Sequence, residues 1–206
     1  MSYDPGTHSR RSIRFTAYDY SRPGAYYVTI CTGDKECLFG GIVDGQMQPN
    51  EYGKIAHGEW WRSEKIRPRI QLDAWVVMPN HVHGILMIGG GTAVATATAP
   101  AAAAAMIGRG TARRAPTIEG FGKPVSGSLP TVIRAYKSAV TKRVNEMRNK
   151  PGKAVWQRDY YEHIVRNDAE YARIREYISM NPVRWPSDPE NPSRATDAEE
   201  DFPWKW

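Results

Sequence analysis

The chain has 206 residues, of which 41% are hydrophobic and 24% charged, and its formal net charge is +6. This length and hydrophobic content suit one domain with a buried core. No apolar run is long enough to span a membrane, and the polar start of the chain lacks the apolar centre of a signal peptide. Two cysteines are too few for a disulfide framework or a zinc signature, so we expect a cytoplasmic protein. The basic charge suits an anionic partner such as nucleic acid.

The first half of the chain predicts mostly strands. A basic N-terminal arm, residues 1–24, carries Arg10, Arg11 and Arg14 and precedes a strand over residues 25–32, in which both alternating sets of side chains are largely apolar. The other elements predicted here are a hairpin turn at Asp44-Gly45, a helix over residues 51–65 capped by Asn50, and strands over residues 70–78 and 81–88.

A low-complexity insertion, residues 89–127, follows these strands. It begins with glycine, alanine and threonine and continues with arginines, and we interpret it as a flexible loop. Its Arg109, Arg113 and Arg114 are candidates for contacts with a nucleic-acid backbone, although a solvated linker has the same composition.

The second half of the chain predicts a helix over residues 128–148, a strand within residues 155–165, and a last helix over residues 168–180 that ends at Asn181-Pro182. Candidate DNA-binding cations on and near the first of these helices are Lys137, Lys142, Arg143 and Arg158. Alternatively, these charges only form the solvent-exposed surface of the helix. Residues 186–206 are predicted to form a poorly ordered tail.

The order of these elements predicts an α+β domain over residues 25–185. It indicates a ferredoxin-like two-layer sandwich, with an antiparallel sheet and two helices on one face. The last helix is additional to this pattern, and we expect it on the sheet face that carries the histidines described next.

Two histidines in an apolar strand, His81 and His83, are the main candidate site. Residues two apart in a strand point to the same face, with Cα atoms about 6.6 Å apart, so both imidazoles can reach one divalent metal ion. Val82 between them points into the core. A polar pair in an apolar strand is typical of a functional site, although a solvated sheet face is the alternative.

The last helix places Tyr177 and Asn181 on one helix face, because residues four apart lie above one another. Tyrosine in such a helix is usually a core residue. Two imidazoles and an amide oxygen together suit Mg²⁺ or Mn²⁺ with open positions for phosphate oxygens. A nearby phenol can then attack phosphorus and form a covalent link.

The motifs LDAWVVMPNHVHGILMI, SLPTVIRAYKSAVTKRVN, VWQRDYYEHIVRN and IREYISMNPVRW resemble those of single-tyrosine HUH transposases, in particular their REP-associated branch. The resemblance implies that His81 and His83 bind the metal, that Tyr177 is the nucleophile and that Asn181 completes the metal site. It also implies a ferredoxin-like fold, cleavage and rejoining of single-stranded DNA near hairpins, and a location at the nucleoid. Asn181 departs from the Gln or His of related enzymes, and the insertion departs from their simplest members.

Two other functions remain open at this point. One is a hairpin-binding module that performs no chemistry, and the other is a ferredoxin-like RNA endonuclease in which a histidine acts as general acid or base. Tyr160 and Tyr161 are rival nucleophiles by residue type, but they lack an amide four positions on. The sequence is compatible with either a monomer or a homodimer.

Overall fold

The computed structural model describes residues 18–89 and 125–194. Within them the strands are β1 (Gly24–Cys31), β2 (Gly40–Val43), β3 (Gln46–Pro49), β4 (Ile70–Val77), β5 (His81–Ile88) and β6 (Tyr161–Ile164). The α-helices are α1 (Glu51–Lys65), α2 (Leu129–Met147) and α3 (Asp168–Arg184). Three parts of the chain lie outside the described residues: residues 1–17 of the predicted N-terminal arm, residues 90–124 of the insertion, and residues 195–206.

The main sheet has four strands in the order β4-β5-β1-β6, and each neighbouring pair is antiparallel. Without the separate hairpin of β2 and β3, the chain order is strand, helix, two strands, helix, strand, which is the ferredoxin-like arrangement. The predicted fold class is therefore confirmed. The pairing places β5 in the interior of the sheet, with His83 opposite Thr29 and His81 opposite Cys31 on β1.

Helices α1 and α2 cover one face of the sheet. The side chains of β5 that point to them include Val82 and Leu86, which are fully buried in this core. Gly84 lies between these two residues, and a Cβ atom there would come within 2.4 Å of Cζ2 of Trp60 on α1. Glycine at this position therefore lets α1 pack directly onto the sheet.

Helix α3 covers the opposite face, as predicted, and packs Ile174 and Ile178 against Ile85. It is also held by polar contacts to Asp73, where β4 shifts register. The Tyr171 hydroxyl donates to Asp73 Oδ2 at 2.7 Å, and Arg175 Nε lies 3.2 Å from the same oxygen. These contacts orient α3 across the face that carries the two histidines.

Two local predictions from turn and cap chemistry agree with the structure. The hairpin between β2 and β3 turns at Asp44 and Gly45, both with positive φ, as a tight hairpin requires. Asn50 caps α1, because its side-chain oxygen accepts a hydrogen bond from the Gly53 N–H at 2.9 Å.

The predicted end of α3 near Met180 is wrong, because the helix continues through Pro182 to Arg184. A proline inside a helix loses the hydrogen bond that its missing N–H would donate, and its ring crowds the carbonyl four residues earlier, which together cost about 3 kcal/mol. Burial of Asn181 and Tyr177 on the preceding turn stabilises the helix across this position. This extension matters because it carries the chain back toward the histidines.

The C-terminal segment, defined here as residues 185–194, begins with a short 3-10 helix, Trp185–Ser187. The sequence predicted a poorly ordered tail from residue 186. Instead, the Asn80 side-chain nitrogen donates to the Glu190 carbonyl at 2.6 Å, and Lys35 Nζ donates to the Pro189 carbonyl at 3.1 Å. These hydrogen bonds from side chains to backbone carbonyls hold the segment in place, and the amino-acid composition of the segment does not predict them. Among the described helices, none has the length and apolar character needed to cross a membrane.

Candidate active site

The two histidines of β5 lie side by side on the sheet face under α3. Their ring centroids are 4.4 Å apart, and His81 and His83 are 0% and 3% exposed. The Nε2 atom of each ring is buried and makes no hydrogen bond of good geometry with any described residue. Buried polar atoms are nearly always paired, so two unpaired nitrogens on one face indicate a site made for a ligand.

The other ring nitrogen of each histidine is held by a neighbour. Asn80 donates both hydrogen bonds of its amide nitrogen to backbone carbonyls, so its oxygen accepts from the Nδ1–H of His81 at 2.8 Å. His83 Nδ1 lies 2.7 Å from the Tyr27 hydroxyl and 2.9 Å from the Thr29 hydroxyl. Metal-binding histidines are usually oriented in this way by their second nitrogen. Both Nε2 atoms are therefore the ones available to a metal.

An aspartate that the sequence did not single out completes the group. Asp188, in the C-terminal segment, is 4% exposed, and its Oδ2 lies 3.9 Å from Nε2 of His81. One ligand atom each from His81, His83 and Asp188 lies within 4.8 Å of the others. Nothing in the sequence distinguished this carboxyl from those of the acidic, proline-rich tail around it, because only the path of the chain beyond α3 brings it here.

Helix α3 brings Tyr177 and Asn181 to the same place. The Tyr177 ring is 6% exposed, and its centroid lies 5.3 Å from that of His83. Asn181 is fully buried. Its amide is close enough to His81 and Asp188 to influence the pKa of each, although neither of its polar atoms makes a hydrogen bond of good geometry. The structure thus brings together all four residues that the sequence proposed for the site.

Burial controls the charges of this group. Desolvation lowers the pKa of His81 to about 4, and it lowers the pKa of His83 well below its usual range, with the neighbouring His81 ring adding to the effect. Both rings are therefore neutral near pH 7, the form that binds metals. Desolvation also raises the pKa of Asp188 above its ordinary value. A cation at this point would oppose that cost and favour the carboxylate.

The rival tyrosines occupy different positions. Tyr161 lies on β6, and its ring centroid is 6.2 Å from that of Tyr27. Tyr160 is buried in the core formed by α1, α2 and the other sheet face. His163 is held by Glu170, whose Oε1 lies 2.7 Å from its Nε2, as expected of a structural residue. The Tyr177 ring lies against His83, with ring centroids 5.3 Å apart.

The predicted DNA-binding cations fall into three groups. Lys137, Lys142 and Arg158 line a groove of about 910 Å³ beside α2. Arg143 instead forms an ion pair with Glu59, with a distance of 2.7 Å. The other six lie outside the described residues: Arg10, Arg11, Arg14, Arg109, Arg113 and Arg114. Because α2 covers the sheet face opposite α3, the groove is separate from the histidine site.

Comparisons with known proteins agree with this architecture. No protein-family model matches the chain. An uncharacterized protein of Haemophilus influenzae is 36% identical over 187 residues, which cover 90% of this chain and 95% of that protein. The solved structure of a REP-associated tyrosine transposase bound to a REP hairpin matches 84% of this chain and 74% of its own chain, with 19% identity and a TM-score of 0.51. The resemblance to transposases is thereby confirmed for the fold.

Proposed function

The chain belongs to the same family as the Haemophilus influenzae protein and has the fold of the REP-associated transposase, and on this basis we propose that it cleaves and rejoins single-stranded DNA through a covalent bond to Tyr177. The observation that carries the proposal is the contact between the Tyr177 ring and His83, beside the unpaired nitrogens of the histidine pair. This places a nucleophile next to a candidate metal site. DNA transposition, or processing of REP elements by a domesticated enzyme, is the process that such an activity serves.

A divalent metal, Mg²⁺ or Mn²⁺, fits the site. Two neutral imidazoles and at least one oxygen donor, all buried, offer ligand atoms that no described residue satisfies. His81 and His83 would hold the ion, with Asn181 or Asp188 supplying oxygen. When bound, the ion would polarise the phosphodiester and stabilise the negative charge that develops on its oxygens.

Tyr177 performs the bond exchange in this proposal. Its phenol oxygen forms a bond to phosphorus as the bond from phosphorus to the 3′ oxygen breaks. The phenol loses a proton and the leaving 3′ oxygen gains one, so the step is balanced without a co-reactant. Attack by a 3′ hydroxyl on the phosphotyrosine reverses the exchange and rejoins DNA without ATP. An ordinary tyrosine has a pKa near 10, so its proton must leave during attack.

DNA recognition is assigned to the basic residues. The cations along the groove beside α2 and the arginines outside the described residues suit the phosphate backbone of a hairpin. All four site residues are at most 6% exposed, so the residues that cover them must move before a phosphodiester can reach Tyr177. We also propose that the protein acts at the nucleoid, as a monomer or a homodimer.

The proposal is tested by incubating the purified protein with Mn²⁺ and labelled single-stranded oligonucleotides that contain hairpins. We expect a nick and a product that migrates with the protein after denaturation. Tyr177→Phe should abolish this adduct and leave hairpin binding intact, whereas Tyr160→Phe and Tyr161→Phe should retain the adduct.

Other outcomes identify the alternatives. Hairpin binding without any nick, across a range of hairpins, would indicate a non-catalytic binding module. Cleavage of an RNA hairpin without covalent attachment would indicate an endonuclease. An adduct that persists in Tyr177→Phe would contradict the assignment of the nucleophile.

A further inference from the structure

The two carboxyl oxygens of Asp188 have different surroundings. Its Oδ1 accepts a hydrogen bond from the Glu190 N–H at 2.7 Å, which closes a local turn. Its Oδ2 is buried, makes no hydrogen bond with any described residue, and faces Nε2 of His81. A structural aspartate in a turn would be expected to leave its second oxygen in water, so this orientation points to a ligand.

The turn that carries Asp188 is fixed on both sides. Asn80 Nδ2 donates to the Glu190 carbonyl, and Lys35 donates to the Pro189 carbonyl. Lys35 also forms an ion pair with the Glu190 carboxylate, with a distance of 3.3 Å. The nearby cation is thus already used by Glu190. Among the described residues, Asp188 lies in ion-pair range of His81, at 3.9 Å, while Lys35 and Arg194 lower its pKa through their charges. A buried carboxylate without a close cation is costly.

Asn80 links this turn to the histidines. Its amide oxygen accepts from His81 Nδ1, while its amide nitrogen holds the Glu190 carbonyl two residues after Asp188. One fully buried side chain therefore sets both the ring orientation of His81 and the position of the turn. Such shared support is typical of residues that surround metal ligands.

Asn181 supplies a weaker oxygen at the same place. Divalent cations prefer anionic carboxylate oxygens to neutral amide oxygens. The amide of Asn181 lies beside both His81 and Asp188 and favours the charged form of each, with its effect on the pKa of Asp188 in the lowering direction. This position suits a residue that holds the two ligands toward one another.

We propose that, in the DNA-free protein, Asp188 is the anionic third ligand of the metal held by His81 and His83, with Asn80 and Asn181 positioning the ligands. The inference rests on the metal site of the proposed function and adds to it a ligand from beyond α3. It assigns to the C-terminal segment a direct part in the metal site.

The test is direct Mn²⁺ binding by the purified full-length chain without DNA, measured by calorimetry or by loss of the free-ion electron paramagnetic resonance signal. Asp188→Asn keeps the shape of the side chain and removes its charge, and we expect it to weaken Mn²⁺ binding at least about tenfold. Asp159→Asn, which changes an exposed carboxyl before β6, should bind as the wild type does. Circular dichroism checks that each variant is folded.

Ligand identity is tested separately with Co²⁺. A thiolate bound to Co²⁺ gives a near-ultraviolet charge-transfer band, so Asp188→Cys should show this band with Co²⁺. Cys31 lies opposite His81 on β1, so the wild type is measured with Co²⁺ as well, and the band is assigned to residue 188 if it persists when Asp188→Cys is combined with Cys31→Ser. The band would show that a ligand atom at position 188 reaches the ion held by the two histidines, and its absence with Co²⁺ bound would contradict this.

The outcomes separate this inference from the proposed function. If the wild type binds Mn²⁺ and Asp188→Asn binds it equally well, the inference is overturned and the proposed function stands. The inference is also overturned if Asp188→Asn weakens Mn²⁺ binding by less than about tenfold, whatever the effect of Asn181→Ala, which removes a positioning residue. If the wild type binds no Mn²⁺ or Co²⁺, both this inference and the metal requirement of the proposed function fail.

Discussion

Replacement of Asn80 by alanine is expected to damage stability and metal binding together. The fully buried side chain makes three hydrogen bonds, to the Glu190 carbonyl at 2.6 Å, the Lys35 carbonyl at 3.0 Å and His81 Nδ1 at 2.8 Å. At a net value of about 1 kcal/mol each, their loss lowers the free energy of unfolding by about 3 kcal/mol. In a chain of this size each kcal/mol shifts the Tm by about 2–4 °C, so we expect a fall of about 6–12 °C.

The same substitution should weaken Mn²⁺ binding about 10- to 100-fold, which is the usual effect of removing a partner that orients a metal ligand. His81 loses the acceptor that fixes its ring, and the turn that carries Asp188 loses one of its attachments. The assays are thermal unfolding followed by circular dichroism and calorimetric titration with Mn²⁺ at a temperature where the variant is folded.

Asn145→Ala is the matched control. Asn145 is also a buried asparagine, and it donates to the Lys153 carbonyl and accepts from Arg148, both at 2.8 Å, but it lies on α2 away from the histidines. It should lose about 2 kcal/mol of stability by the same reasoning and retain its Mn²⁺ affinity. The reasoning is refuted if Asn80→Ala binds Mn²⁺ like the wild type, or if the two variants lose affinity equally.

Three further predictions concern the packing and the ion. Gly84→Ala should lower the free energy of unfolding in urea by about 2 kcal/mol, because its Cβ would lie 2.4 Å from Trp60; unchanged stability would contradict the close packing. Tyr171→Phe should lower the free energy of unfolding by about 1 kcal/mol, because the hydrogen bond to Asp73 is lost. An unchanged free energy of unfolding would mean that this hydrogen bond does not anchor α3. Mn²⁺ at 100 times its Kd for the wild type should raise the wild type's free energy of unfolding by about 2.7 kcal/mol. An equal rise for Asp188→Asn at the same Mn²⁺ concentration would contradict the role of Asp188 as a ligand.

The parts of the site that lie on regular elements could be predicted from the sequence. A period of two places His81 and His83 on one face of β5, and a spacing of four places Tyr177 and Asn181 on one face of α3. The order of strands and helices was enough for the ferredoxin-like fold. These features depend on local geometry, which a sequence pattern records directly.

Asp188 and the end of α3 could not be predicted, because they depend on tertiary contacts. Pro182 is a common stop signal, but packing of the turn before it carries the helix on to Arg184. The C-terminal segment has the composition of a tail, and it is positioned by Asn80 and Lys35, residues more than a hundred positions away in the chain. Hydrogen bonds between residues so far apart in the chain produce no periodic pattern in the sequence.

The basic residues show a similar limit. Charge alone made Arg143 and Lys142 equivalent candidates for DNA contact. In the structure Arg143 is paired with the buried Glu59 at 2.7 Å, whereas Lys142 lies along the groove beside α2 and has a 3.9 Å contact with the exposed Glu146. A sequence pattern does not separate an ion pair with a buried acid from one with an exposed acid, because both cations occur on the same helix surface.

The most direct test of the account is peptide mapping of the covalent adduct by mass spectrometry. Trypsin releases Tyr177 in the peptide of residues 176–184, whereas Tyr160 and Tyr161 fall together in the peptide of residues 159–166. After reaction with a hairpin oligonucleotide and Mn²⁺, the account predicts a nucleotide attached through a 5′ phosphate to the first peptide. Attachment to the second peptide, or cleaved DNA with no modified peptide, would contradict it.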